Sequence, residues 1–513
     1  MNHRVAMGLL FYPRGGSAQV ALYLAGALEE ARWHTELICG SLGPDGERTN
    51  AATFFKDMEV HSVDYDPAFE AADGGSDPIA ADFPLHPSFE DRPDATDRVF
   101  AAVSPELGDH LVKAWAAFVD EALGGEVEVM HLHHLSVLQE AFARARPGVP
   151  MVTHLHGTDL KMIDRIDRLV AIAGELGTDL AGMADRAEDL PSFDDLEETD
   201  AKELAEAVRW GQWRYGAHWA ARLRASAQRS DRFVVISPHD RDEAERLLGA
   251  AGDRVEWIPN GVDTDLFDRV EMSVEDRRER WREFLVEDPQ GWDESGEPGG
   301  VSYTEDDLGA FVHDGEPTPV LLFVGRFMEF KRVPLLLKAY AAARERFDTP
   351  APLVIWGGFP GEWEGPHPHT LAEELGVEGV FFAGWRGHAD LARGLPASDV
   401  MVAPSTNEPF GQVFLEAMAA GLPVIATRSG GPLSFVNTDE DAPNGWMVDP
   451  DDEDGLADAL VAAVNDGEER AMRAGNAYEQ IRAKYSWTGL TSRFTDLYES
   501  AIADRPGAPG QRS

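Results

Sequence analysis

The feature that most restricts the fold of this chain is a rhythm: short apolar runs of β type alternate with amphipathic helical stretches along most of its length. "RVAMGLLFYP", "TELICGS", "VEVMHLHHL", "PMVTHLHG", "RFVVISP" and "VEWIPNG" read as buried parallel strands in the first half. "PVLLFVGRF", "PLVIWGGF", "VFFAGW", "DVMVAPS" and "LPVIAT" repeat the arrangement in the second. Between them, segments such as 19–32, 333–347 and 455–465 carry apolar residues at helical spacing. A strand that is apolar on both faces needs helices on both sides, so this alternation predicts an α/β chain of doubly wound parallel sheets. Two such series predict two Rossmann-like domains, and 513 residues suffice to give each its own core.

The first domain is expected over 1–267 and the second over 320–485. Between them, 268–319 is acidic and glycine-containing, with a helical patch at "VEDRRERWREFLVED" and the loop-like "GWDESGEPGG", and reads as a linker or insertion. Residues 66–98 and 173–200 read as further acidic insertions that cover a surface, and 486–513 as a final helix and tail.

The 45 Lys and Arg against 92 Asp and Glu give a net charge of −47, spread along the chain. Duplex nucleic acid and anionic membrane are poor partners for such a surface. Diffuse acidity suits concentrated salt, where repulsion is screened within a few ångströms, so a salt-adapted source is expected. The unfolding midpoint should then rise from dilute buffer to molar salt; a midpoint that does not move removes this reading. Cys39 is the single cysteine, which excludes an intramolecular disulfide and any multi-cysteine metal centre. The amino-terminal apolar run is too short for a signal peptide, and no stretch reaches membrane-spanning length, so a cytoplasmic enzyme is expected.

The most informative short stretch is 407–427, "NEPFGQVFLEAMAAGLPVIAT". A strand, a loop and a helix start follow one another, and the first amides of a helix are free to bind an anion. Glu408 stands in the loop and Glu416 two turns into the helix, and carboxylates are good acceptors for paired hydroxyls. Spacing alone leaves open a cap for Glu408 and a solvated helix residue for Glu416. "GRFMEFKR" adds Arg326 and Lys331 after the first strand of the same half, where doubly wound folds bind ligands, and two cations there point to phosphates. "YPRGGSAQV" supplies Gly15 and Gly16, whose turn lets backbone amides approach a ligand.

Together, "FVGRFMEFKR", "VFFAGW", "SDVMVAPSTNEPFGQVFLEAMAAGLPVIAT" with the following "SGG", and "VVISPHD" with "IPNGVDTDLF" resemble the retaining glycosyltransferases of family 4. The likeness covers most of 1–490 outside the three acidic insertions. It implies the glycosyltransferase-B architecture: two Rossmann-like domains facing across a cleft, acceptor on the first, nucleotide-sugar donor on the second, and a last helix returning toward the first. By the same resemblance Arg326 and Lys331 bind the diphosphate, Glu416 the ribose, and Glu408 the donor sugar, with Phe410, Gly411, Gln412 and Val413 around sugar and phosphate. His133 matches the family's histidine at the donor sugar.

Strand alternation puts His131 and His133 on one face and His134 on the other, so "HLHH" offers a metal only two ligands, and no metal or other cofactor is expected. "DTD" at 263–265 looks like a metal-binding Asp-x-Asp but reads as turn chemistry. His156, Thr158, Asp159 and Lys161 are candidate acceptor contacts, with loop capping the equal alternative for Thr158 and Asp159. The basic, aromatic helix expected at 209–229 either meets an anionic acceptor or lipid carrier at a membrane surface, or packs its aromatics inside and pairs its arginines with acids. Base contacts near Gly384 and Trp385 are expected through backbone. A nucleotide-sugar epimerase or hydrolase, a phosphorylase and a non-catalytic binding protein are the competing readings. The donor's base and sugar, the acceptor and the oligomeric state are not specified.

Overall fold

The structure is a computed structural model; it describes residues 3–505 except 93, 94, 187, 188, 195, 197, 407, 409 and 440. The tail expected after the last helix, and Asn407 and Pro409 of the glutamate loop, lie outside the described residues. The chain divides into two compact units, one of residues 1–259 with 491–513 and one of 260–490.

The first unit is built on seven parallel strands: β1 (His3–Leu9), β2 (Trp33–Ser41), β3 (Glu59–Asp64), β4 (Val129–His133), β5 (Met151–Leu155), β6 (Arg232–Val235) and β7 (Val255–Trp257). Their order across the sheet is β3-β2-β1-β4-β5-β6-β7. The second unit opens with a short hairpin, β8 (Val312–His313) and β9 (Glu316–Pro317). Its main sheet has β10 (Leu321–Gly325), β11 (Leu353–Gly357), β12 (Val380–Gly384), β13 (Val400–Ala403), β14 (Val424–Thr427) and β15 (Gly445–Val448). Here the order is β12-β11-β10-β13-β14-β15, again all parallel. Central strands such as β11 and β13 are buried along their whole length, which is why they are continuously apolar in sequence. In each sheet the order reverses once, between β1 and β4 and between β10 and β13. The loops leaving these strands diverge there and leave a crevice at the carboxyl edge.

Beyond the short hairpin, two strands of the main sheets were not legible as strands. β3 and β15 are sheet edges, β3 has only Val60 and Val63 among charged and polar residues and is mostly accessible, and β15 begins on a glycine. An edge has little apolar surface to bury, so the periodicity that betrays a central strand is missing.

Segment 268–319 carries the expected helical patch and packs as part of a folded unit. It belongs to the second unit and contains a helix, Val274–Arg282, started by a capping box between Ser273 and Asp276. Trp281, Phe284 and Trp292 are buried, and the indole nitrogen of Trp292 donates to Gly358 O at 3.0 Å. Tyr303 Oη accepts the Phe382 amide at 2.8 Å on β12, so the segment satisfies an otherwise open sheet edge. Its glycines and acids hid the role because the tryptophans that anchor it are isolated in sequence.

The 209–229 stretch resolves into a short turn, Trp210–Trp213, and a helix, Gly216–Ala227. Trp210, Trp213 and Trp219 are buried. Arg209 pairs with Asp91, Arg214 with Asp185, Arg222 with Glu140 and Arg224 with Asp167. Four of its five arginines are thus spent on acids of the same unit, and the packed alternative describes this helix. Residues 66–98 also do more than cover a surface: Ile79, Leu85, His86 and Phe89 are buried, and Asp97 takes Arg14 and Arg92.

Candidate active site

In the second unit the loops after β10 and β13 diverge at the reversal point, and both carry candidate residues. Lys331 Nζ lies 2.5 Å from Glu408 Oε2, with both side chains largely buried. The two loops are also tied through backbone, since the Thr406 amide donates to Phe330 O at 2.7 Å. Arg326 is half-exposed, its Nη2 3.2 Å from Glu362 Oε2. The structure therefore brings Lys331 and Glu408 together and leaves Arg326 at the rim of the same strand end.

Gly411 stands at φ +89° before the helix Gln412–Ala419, and a Cβ there would come within 2.7 Å of Phe414. No side chain caps this helix among the described residues, so the amides of its first turn keep their affinity for an anion. The loop is braced from behind by the "SGG" turn after β14. The Gly431 amide donates to Glu408 O at 2.7 Å, and a Cβ on Gly431 would stand 2.1 Å from Phe410 O, an approach that only glycine permits. Phe410 is buried against Phe435, and Gln412 Nε2 donates to Gly261 O at 2.6 Å. Val413, beside it, is partly accessible. One turn further on, Glu416 is buried, and burial pushes its carboxyl up to about 8. His388 Nε2 lies 3.9 Å from its Oε1. Glu416 is therefore not a solvated helix residue, as bare spacing allowed. Near the end of β12, Gly384 (φ +72°) runs against Gln290 O, and Trp385 and Phe359 are exposed with rings 5.8 Å apart.

In the first unit, Gly15 (φ +68°) and Gly16 begin the helix Gly15–Glu30 with open space where side chains would be. At the end of β4, His133 is buried, its Nδ1 3.0 Å from His156 Nε2. Register pairs His133 with His154 on β5, so a further histidine joins this face. Nothing in the local sequence around His133 showed that pairing, which depends on strand order. Asp159 takes the capping alternative: it is fully buried and accepts the Leu135 amide at 2.9 Å and the Leu160 amide at 3.0 Å, tying the β4 and β5 loops. Burial raises its carboxyl to about 6. Thr158 is the partly accessible first residue of its helix and Lys161 is exposed. In the second unit, Asp263 accepts the amides of Asp265 and Leu266 at 3.0 and 2.9 Å, the turn chemistry expected of "DTD". No helix among the described residues is long and apolar enough to cross a membrane.

The profile of "Glycosyltransferase Family 4" matches residues 14–266, and that of "Glycosyl transferases group 1" matches 311–480. The D-inositol 3-phosphate glycosyltransferase of Corynebacterium glutamicum is 31% identical over 291 residues, 55% of this chain and 61% of that protein. The lipopolysaccharide core biosynthesis glycosyltransferase LpsE of Rhizobium meliloti is 38% identical over 189 residues, 37% of this chain and 51% of that protein. The chain thus matches about half to three-fifths of the length of these relatives. Among solved structures, sucrose-phosphate synthase from Thermosynechococcus elongatus superposes with a TM-score of 0.60 at 19% identity, over 98% of this chain and 99% of that one. Anabaena HepE in complex with UDP and glucose gives 0.58 at 17% identity, over 97% and 100%. Both share the fold. With a family 4 domain in its first unit and a group 1 domain in its second, the chain belongs to the group 1 glycosyltransferases of glycosyltransferase-B fold.

Proposed function

We propose that the protein transfers a sugar from a nucleotide-sugar donor to a hydroxyl acceptor with retention of anomeric configuration. The observation that carries this reading is the assembly at the β10/β13 reversal point. It combines the Lys331–Glu408 pair, the uncapped start of Gln412–Ala419 and the buried Glu416 at one strand edge. An anionic group drawn to Lys331, Arg326 and the helix amides, with hydroxyl-bearing groups at Glu408 and Glu416, has the layout of a sugar, a diphosphate and a ribose. As the glycosidic bond breaks, negative charge builds on the leaving diphosphate, and preorganised cations and amides stabilise it.

In this reading Phe410, Gly411, Gln412 and Val413 line the donor, Gly15 and Gly16 offer amides to it, and His133 acts at the donor sugar. His156, Thr158 and Lys161 belong to the acceptor side, and Asp159 acts there by fixing the loop. Incubation with a panel of nucleotide sugars, with and without acceptors, tests the function: released nucleoside diphosphate should match glycosylated product in amount. D-inositol 3-phosphate is the first acceptor to try, because several relatives carry that name. UDP-glucose is the first donor, because HepE was solved with it. An anomeric proton signal in the product that differs in configuration from the donor's refutes retention. Nucleoside diphosphate released without any glycosylated product refutes transfer and favours a hydrolase.

Charge stabilisation by Lys331, Arg326 and helix amides replaces what a divalent ion supplies in other phosphate sites. Turnover is therefore expected to proceed in desalted protein without added magnesium or manganese. A rate that appears only when either ion is returned contradicts this.

A further inference from the structure

We propose that His131, His133 and His154 form a nitrogen-donor site for a divalent cation of the zinc class within the first unit. Sequence spacing offers only two same-face histidines, and the parallel register of β4 with β5 brings the third beside them. One ring nitrogen from each of the three lies within 4.8 Å of the others, and all three residues are fully buried. His131 Nε2 and His154 Nδ1 are 3.3 Å apart. Two nitrogens bound at about 2.0–2.1 Å to a tetrahedral ion stand roughly 3.3–3.4 Å apart, so this pair already spans one edge of such a site.

The surrounding groups have the form of an outer shell. The Nδ1 of His131 is 2.6 Å from Tyr498 Oη, and the Nδ1 of His133 is 3.0 Å from His156 Nε2. Each contact orients a ring, the role that outer-shell partners play at metal-bound imidazoles. Nε2 of His133 is buried with no hydrogen-bond partner among the described residues. An unsatisfied buried nitrogen is unfavourable, and a cation would satisfy it. Three imidazoles without a carboxylate select zinc, cobalt, nickel or copper over magnesium and calcium, which prefer oxygen. The last helix, Trp487–Ala503, lies over the site through Phe494 and Tyr498, so a bound ion would pin it to β4 and β5.

The proposal replaces the contact of His133 with the donor sugar, since a fully buried imidazole with Nδ1 on His156 and Nε2 on a cation has no nitrogen left for it, and metal retention is measured without turnover. Full-length protein prepared without a histidine tag, stripped of metal and titrated with Zn²⁺ alone, should retain about one equivalent after desalting and none of Mg²⁺. Co²⁺ in its place should give the intense visible bands of a four-coordinate ion. Tyr498→Phe should weaken Zn²⁺ binding roughly 10- to 100-fold, and His131→Gln or His154→Gln by more. Retention below about a tenth of an equivalent, or retention unchanged in both histidine variants, overturns the site. If those variants do not fold, the wild-type Co²⁺ spectrum decides: the weak bands of six-coordinate cobalt overturn it equally.

Discussion

Lys331→Ala should lower kcat/KM by roughly 10²- to 10³-fold, the loss typical of one preorganised donor at a developing negative charge. Both parameters should move, because the diphosphate is present in the ground state and gains charge only as the bond breaks. The variant has a second consequence, since it leaves Glu408 largely buried without its cation. Breaking such a pair from one side destabilises by up to about 3–5 kcal/mol, less what residual solvent returns. Adding Glu408→Gln should recover much of the lost stability and none of the activity. Recovery of activity as well would show that Lys331 serves only to neutralise Glu408. Glu408→Gln alone should lower kcat while nucleoside diphosphate affinity stays nearly intact, because that ligand lacks the sugar.

Glu416→Gln should make the protein more stable and a poorer binder. Burial holds the folded carboxyl near 8 against an ordinary value of 4.5. Below pH 4.5 it is protonated folded and unfolded alike. As pH rises from there to about 8, the unfolded chain loses its proton first, so stability is lost across that window and levels off above it. The deficit is up to about 5 kcal/mol, each unit being worth about 1.4 kcal/mol. Glutamine keeps the shape and removes the titration, so its melting point should exceed that of the wild type at pH 8 and converge with it near pH 4.5. Donor KM should rise about tenfold for one lost hydrogen bond, with a smaller change in kcat. A variant that melts no higher at pH 8 contradicts the buried, ligand-poised carboxylate.

The order in which structure became visible follows burial. Strands apolar on both faces, such as those ending at Gly325 and Ala403, announced themselves by composition, while the edge strands at Glu59–Asp64 and Gly445–Val448 had no such signature. The glutamate loop was legible because its chemistry is concentrated in consecutive residues. What local sequence does not encode is register: Lys331 meets Glu408 across 77 positions, and His154 reaches His131 across 23. The role of Trp281 and Trp292 in anchoring the segment whose Tyr303 meets the β12 edge was hidden for the same reason, since their partners Ala397 and Gly358 lie far along the chain. Glu416 could be placed on a helix face from sequence, yet its burial depends on the neighbouring elements that enclose that face.

The most direct test of the account is calorimetry with UDP on the wild type, Lys331→Ala and Glu416→Gln. The wild type should bind without added metal, each substitution should weaken binding, and UDP-glucose should follow the same order. Equal affinity in all three proteins would contradict the placement of the donor at the β10/β13 edge.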